Sequence, residues 1–329
     1  MNPLSSRALK QTAAQRLSEA SYCPRKLIAL HTGISLAVSL AVAFIDIFLS
    51  QQIDNTGGLA GIGLRSSLST VQSGLLLAVA IVLPIWSAGF QRAALCYGRK
   101  QPAGPATLLE GFRRFGPVLR LLLLQCLLFC LLFMVCTYLG VAIFFMTPAA
   151  QAYTEAMLPL MEELSGMDPN FALAEETALA LLETLLPAYA IVGVLFVAAA
   201  IPVFYRIRLA NFAILDDPRV GAVFAIVKSW KLAKHHCLQL FRLDLSFWWF
   251  YVLQLLLAAV GYLALFLPEL TEGHMILLSL LQAAGQLALF WWAGSHVHTT
   301  YALAYDALQE DFLRAATPAV PKKQPWDYS

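Results

Sequence analysis

Six long apolar runs, at about 27–49, 71–91, 121–146, 185–205, 245–267 and 275–293, alternate with shorter polar stretches along the chain. Each is long enough to cross a ~30 Å hydrocarbon core as a helix. The pattern therefore predicts an all-α polytopic membrane protein, its six transmembrane helices arranged as three hairpins. The first run is too long for the core of a secretory signal and lacks a convincing small-residue cleavage site, so it reads as an uncleaved anchor. Pro84 and Pro202 lie inside runs, where membrane helices tolerate proline. Trp248 and Trp249 open the fifth run and Trp291 and Trp292 close the sixth, as aromatic residues do at water interfaces.

Between the runs the periodicity becomes amphipathic. In 218–236, Val220, Phe224, Val227 and Trp230 recur at spacings of three and four, with Lys228, Lys231 and Lys234 on another face. Asp217 reads as the N-cap of this cytoplasmic helix and Pro218 as its first-turn residue. The pattern fits a helix lying in the headgroup plane with its lysines toward anionic lipid, or an ordinary helix packed on the membrane domain. A second such helix follows Thr107 and Glu110, spaced as a capping box, with Leu108, Phe112 and Phe115 beside Arg113 and Arg114. The N-terminal segment 1–26 places Leu9, Ala13 and Leu17 on one face of a short surface helix. Arg242 and Asp244 precede the fifth run, two residues apart and so not facing each other. Asp244 is expected to pair with a lysine or arginine of the 218–236 helix, and Arg242 to snorkel. The three basic stretches form a weak internal repeat, or are only the inner segments that any six-span chain must have.

Charge orients the spans. With the N-terminus inside, all but Arg65 of the 22 Lys and Arg residues fall in cytoplasmic segments, which also places the C-terminus in the cytoplasm. The segment 147–184 then lies outside. It carries Glu155, Glu162, Glu163, Asp168, Glu175, Glu176 and Glu183 and no Lys or Arg. Tyr153, Met157, Leu160 and Leu164 mark one amphipathic helix there, and Asp168–Pro169 restarts another that runs into the fourth span. A solvated acidic face explains these carboxylates better than acid–base or cation chemistry, and the spacing of a calcium loop is absent. Residues 27–312 form the membrane domain, and 313–329, with Pro318, Pro321 and Pro325, read as a disordered cytoplasmic tail.

The stretches PVFYRIRLANFAILDDPRV and AIVKSWKLAKHHCLQLFRLDLSFWWF, with Pro84–Gly89, Leu109–Phe115 and Thr300–Leu308, resemble the domain-of-unknown-function family 975. The resemblance touches most of 5–312, the acidic segment at 147–184 being an insertion. It implies a bacterial multi-pass protein of the cytoplasmic membrane and supplies no catalytic residues.

Composition agrees with insertion: 59% of residues are hydrophobic and 13% charged, against about 25% charged in soluble domains. The six cysteines fall in apolar or cytoplasmic segments, so no disulfide framework is expected. His31 and Asp46 lie near opposite ends of the first span and read as interface residues rather than proton carriers. His235, His236, Cys237, His296 and His298 fall on one predicted side, but residues two apart on a helix diverge, and no metal site is expected. The glycines at 57–63 lack the lysine and hydroxyl of a phosphate loop. With no nucleophile elbow, zinc-protease motif or paired intramembrane carboxylates, no enzyme activity and no cofactor are expected.

Two functions remain. In the first, the protein is a non-catalytic envelope scaffold or accessory whose Arg113, Arg114, Lys228, Lys231, Lys234 and Arg242 contact headgroups. Its partners are then membrane lipids, anionic ones, with unidentified proteins and no nucleic acid. In the alternative it transports or exports a small amphipathic substrate along Gln254, Gln282 and Gln286, with Gln125 a further mid-membrane amide. Glutamines also serve simply as packing contacts between helices.

Overall fold

The computed structural model describes residues 5–55, 62–165, 171–217, 219–266 and 272–316. The side chains of Asp46, Arg65, Glu269 and Glu272, the acidic side chains at 162–183, Pro218 and residues 317–329 lie outside the described residues.

Among the described residues every regular element is helical. The chain runs α1 Ser6–Ser18, α2 Pro24–Asn55, α3 Ile62–Gly98, α4 Pro105–Leu108, α5 Glu110–Arg113, α6 Phe115–Phe145, α7 Pro148–Ser165 and α8 Phe171–Ile207. It continues with α9 Ala210–Asp216, α10 Ala222–Ala233, α11 Cys237–Leu245, α12 Trp248–Phe266, α13 Glu272–Leu289, a π turn Phe290–Gly294 and α14 Ser295–Ala316. Among the described residues five stretches are long and apolar enough to cross a membrane, and α11 with α12, bent by 67° at their junction, makes a sixth when the pair is taken as one broken span. This is the polytopic all-α protein that the apolar runs predict.

The helices extend beyond the runs that identify them, because a helix does not stop where hydrophobicity does. The π turn links α13 to α14, so the last spanning stretch covers Ile276–Arg314 instead of ending near residue 293. Two start signals fail. Asp217 caps the C-terminal end of α9 and its Oδ1 accepts the Arg219 amide at 2.9 Å, while α10 begins after Gly221. The carboxylate that suits an N-cap suits a tight turn equally well. Thr107 lies inside α4, where its hydroxyl accepts the Gly104 amide at 3.2 Å, and Pro105 opens that helix. The expected surface helix, α1, is part of the core: Leu9 and Ala13 are buried, and the helix packs on α14 and α3.

The chain divides into two compact units, 123–207 and the remainder. In 123–207, α7 and α8 pack together around buried Phe144, Ala150 and Ala188, with Tyr153 and Ile191 against them. Phe133 meets Phe196 edge-on with centroids 5.4 Å apart. A Cβ on Gly140 would come within 2.4 Å of Val192 Cγ2, so the absent side chain is what lets α6 and α8 close, as small residues do between membrane helices.

In the other unit α3 is the axis. Leu27, Ile28, Trp86, Phe90, Ala93, Cys96 and Leu108 are buried around it. His31 stacks on Trp86 with centroids 5.5 Å apart, and the Trp86 indole donates to the His31 carbonyl at 3.1 Å. The pair α4–α5 lies on α3 through two glycines: a Cβ on Gly89 would meet Leu108 O at 1.8 Å, and one on Gly111 would meet Ile85 O at 1.9 Å. These obstacles are backbone atoms, which cannot swing aside.

Candidate functional site

The basic stretches belong to the larger unit, where α1 packs on α14 and α3, α4 and α5 on α3, α9 on α3 and α10, and α10 on α14. On α10 the inward face carries Ala225, Ser229, Leu232 and Ala233, all buried. Its outward face carries Val223, Phe224, Val227 and Trp230, of which Phe224 is 60% exposed. Val220 departs from the expected stripe and is buried. Helix α11 repeats the arrangement, with Leu240 and Leu243 inside and Leu238, Phe241 and Leu245 outside. Trp248, beyond the bend, is exposed and continues the same apolar series into α12. A third apolar patch, Leu109, Phe112 and Phe115, is exposed around α5.

The six predicted headgroup cations fall into two groups. Lys231, Lys234, Arg242 and Arg113 are exposed. Lys228 and Arg114 have internal partners. The Lys228 amine donates to the Tyr305 hydroxyl at 3.0 Å. Arg114 donates to the carbonyls of Ile214 at 3.1 Å and Leu215 at 2.8 Å, filling the orphan acceptors at the end of α9. Glu110 stands 3.8 Å from the same guanidinium.

Beneath the outward face runs a polar framework that no local pattern announced. Arg99, just past α3, donates to Asp216 at the end of α9 and to Asp306 on α14, the latter through Nε and through Nη2 at 2.6 Å. These hydrogen bonds, Asp306 first and then Asp216, hold the Arg99 guanidinium well above its ordinary pKa. Tyr305 donates to Asp216 at 3.3 Å and ties Lys228 into the set. A second group forms around Asp244, which accepts from Arg208 at 2.6 Å and from Tyr301. The Tyr251 and Tyr301 hydroxyls are 2.6 Å apart, and Arg208 lies 4.0 Å over the Tyr301 ring. Asp244 therefore pairs with Arg208, which follows the fourth span, while Lys231 and Lys234 of the 218–236 stretch are exposed. Lys10 ties α1 to the α11–α12 bend: its amine donates to Ser246 O at 2.5 Å and sits 3.9 Å over the Phe247 ring. Burial pushes the Lys10 pKa down.

The histidines go to separate places. His236 Nδ1 bonds Gln239 Oε1 at 2.9 Å, His296 Nε2 bonds Lys10 O at 3.0 Å, and His298 packs edge-on against Phe90. Among the described residues no three His, Cys, Asp or Glu side chains are grouped as metal ligands. All six cysteines are free. Gln254 on α12 and Gln282 and Gln286 on α13 are half-buried. The latter two flank Gly285, where a Cβ would come within 2.5 Å of Leu257 Cδ2, so they border a close approach of α12 and α13. Comparison with family models, with curated proteins and with solved structures gives no match to this chain.

Proposed function

We propose that this multi-pass membrane protein is a non-catalytic scaffold or accessory of the bacterial envelope, which grips the inner leaflet of the cytoplasmic membrane through a collar of in-plane helices. The observation that carries this reading is the outward face of α10 and α11. Large apolar side chains and the cations Lys231, Lys234 and Arg242 share it, and it continues into a spanning helix at Trp248. A helix with that distribution gains from burying its apolar stripe at the acyl boundary and from attraction of its cations to anionic headgroups. The framework of Arg99, Arg208 and Lys10 beneath it acts as the rigid base. Both termini are cytoplasmic in this reading, in keeping with the distribution of basic residues and with the family 975 resemblance in the KSWKLAKHH and LDLSF stretches.

The test is purification in native lipid, followed by identification of co-purifying lipids and proteins. Enrichment of anionic phospholipid that falls when Lys231, Lys234 and Arg242 become glutamine supports the collar. Equal enrichment in wild type and variant removes it. Saturable uptake of an amphipathic substrate into vesicles, lost in Gln282→Leu, would instead establish the carrier reading. Reporter fusions check the orientation independently: an acidic 147–184 segment found in the cytosol would invert the map.

A further inference from the structure

We propose that the cleft between the end of α1, the turn that follows it and the end of α3 binds a small phosphate-bearing anion. The cleft has a volume of about 140 Å³ and is lined by Arg16, Glu19, Ser21, Tyr97, Lys100 and Gln101. None of its lining residues belongs to α10 or α11, and the proposal stands whether or not the apolar face of those helices meets lipid.

Two costs of folding meet at this cleft without an internal return. The first is backbone. Helix α3 ends with Gln101 N–H donating to Cys96 O at 2.8 Å and Lys100 N–H to Tyr97 O at 3.3 Å. That arrangement needs a left-handed residue at the position of Lys100, a place glycine usually takes. Lys100 occupies it with φ 57°, and it is the lone non-glycine residue with positive φ among those described. What the lysine gains there is an exposed ion pair with Glu19 at 2.7 Å, a type of contact that contributes little. The second cost is a buried phenol. Tyr97 is 3% exposed, its hydroxyl has no hydrogen-bond partner, and it forms part of the cleft wall. Strained backbone and unpaired buried donors concentrate where a protein binds something.

The lining says what that something is. Arg16 and Lys100 bring two positive charges against the one negative charge of Glu19, and Tyr97, Ser21 and Gln101 add neutral polar side chains to the lining. A phosphate monoester offers three acceptor oxygens, suits the fork of an arginine and the point charge of a lysine, and can displace Glu19 from Lys100. One of its oxygens gives the Tyr97 hydroxyl the acceptor it lacks.

The experiment uses the full chain in phosphatidylcholine nanodiscs, titrated calorimetrically with inorganic phosphate and with glycerol 3-phosphate, and separately in discs carrying phosphatidic acid. Saturable binding of one equivalent is expected. Arg16→Gln and Tyr97→Phe should each weaken it about fivefold and Lys100→Gly about tenfold, as for lost charge-assisted hydrogen bonds. Lys100→Gly should at the same time raise Tm, because glycine suits the left-handed position; a loss of binding there cannot be attributed to unfolding. Glu19→Gln should tighten binding by removing the competing carboxylate. Binding of glycerol 3-phosphate in plain discs identifies a soluble ligand, while stabilisation confined to phosphatidic acid discs identifies a lipid headgroup. No saturable response to any of the three probes, or a response unchanged in Arg16→Gln and Lys100→Gly, overturns the proposal.

Discussion

Arg99 and Asp306, 207 residues apart in sequence, are joined by a forked contact in which Nε and Nη2 of the guanidinium both face one carboxylate. The same arginine holds Asp216, so one side chain fixes the ends of α3 and α9 against α14. Both acids and the arginine are more than two-thirds buried. Removing the arginine leaves two largely buried carboxylates without the cation they share. Arg99→Met is expected to lower stability by roughly 3 kcal/mol, the scale for breaking a buried pair from one side. Arg99→Lys should recover only part of this, since an ammonium cannot reproduce the fork. Thermal unfolding in detergent or nanodiscs measures both, and an Arg99→Met protein as stable as wild type would remove the arginine from the framework.

Gly111→Ala should detach α4 and α5 from α3. The new methyl group would fall on the carbonyl oxygen of Ile85, so the helix itself must move, at a cost of roughly 3 kcal/mol for forced overpacking. Cys96, buried in the same cluster, serves as the reporter. It should react with maleimide much faster in Gly111→Ala, whereas Gly116→Ala, at a position with open space, should leave its rate unchanged.

The cations of α10 should divide by function. Replacing Lys231 and Lys234 with glutamine should reduce anionic-lipid retention in native mass spectra with little change in Tm, each basic residue near such a surface being worth about 1 kcal/mol. Lys228→Gln should do the reverse, costing about 1 kcal/mol of stability through its lost bond to Tyr305 and leaving lipid retention alone.

Lys10 offers a graded test of the bend between α11 and α12. Lys10→Ala removes both the bond to Ser246 O and the cation over Phe247, and should cost about 1 kcal/mol. Lys10→Met keeps the apolar stem without a desolvated charge and should cost less. The order of the two Tm values is the readout.

The helical, membrane-spanning character of the protein was legible because hydrophobicity acts locally: twenty apolar residues in succession announce a span whatever their neighbours. The apolar series Phe224, Val227 and Trp230 was legible for the same reason. Pairing across distance was not. Nothing near Arg99 or Arg208 distinguishes a framework arginine from a lipid-facing one, and Arg114 and Lys228 stand next to exposed residues in the chain while reaching inward on long, flexible stems. Asp217 shows a different failure, since one short carboxylate serves a turn and a helix start alike. The cleft beside Tyr97 had one faint local sign, a lysine where a helix ends and glycine is expected, which only backbone geometry makes readable.

The π turn at Phe290–Gly294 acts as a phase shifter. Its one additional residue per turn rotates everything downstream by about 100° relative to an uninterrupted α-helix. Tyr301, Tyr305 and Asp306 meet Asp244, Asp216 and Arg99 only because of that offset. Deleting a single residue there would wind α14 out of register, turning its whole polar edge from its partners while altering none of them.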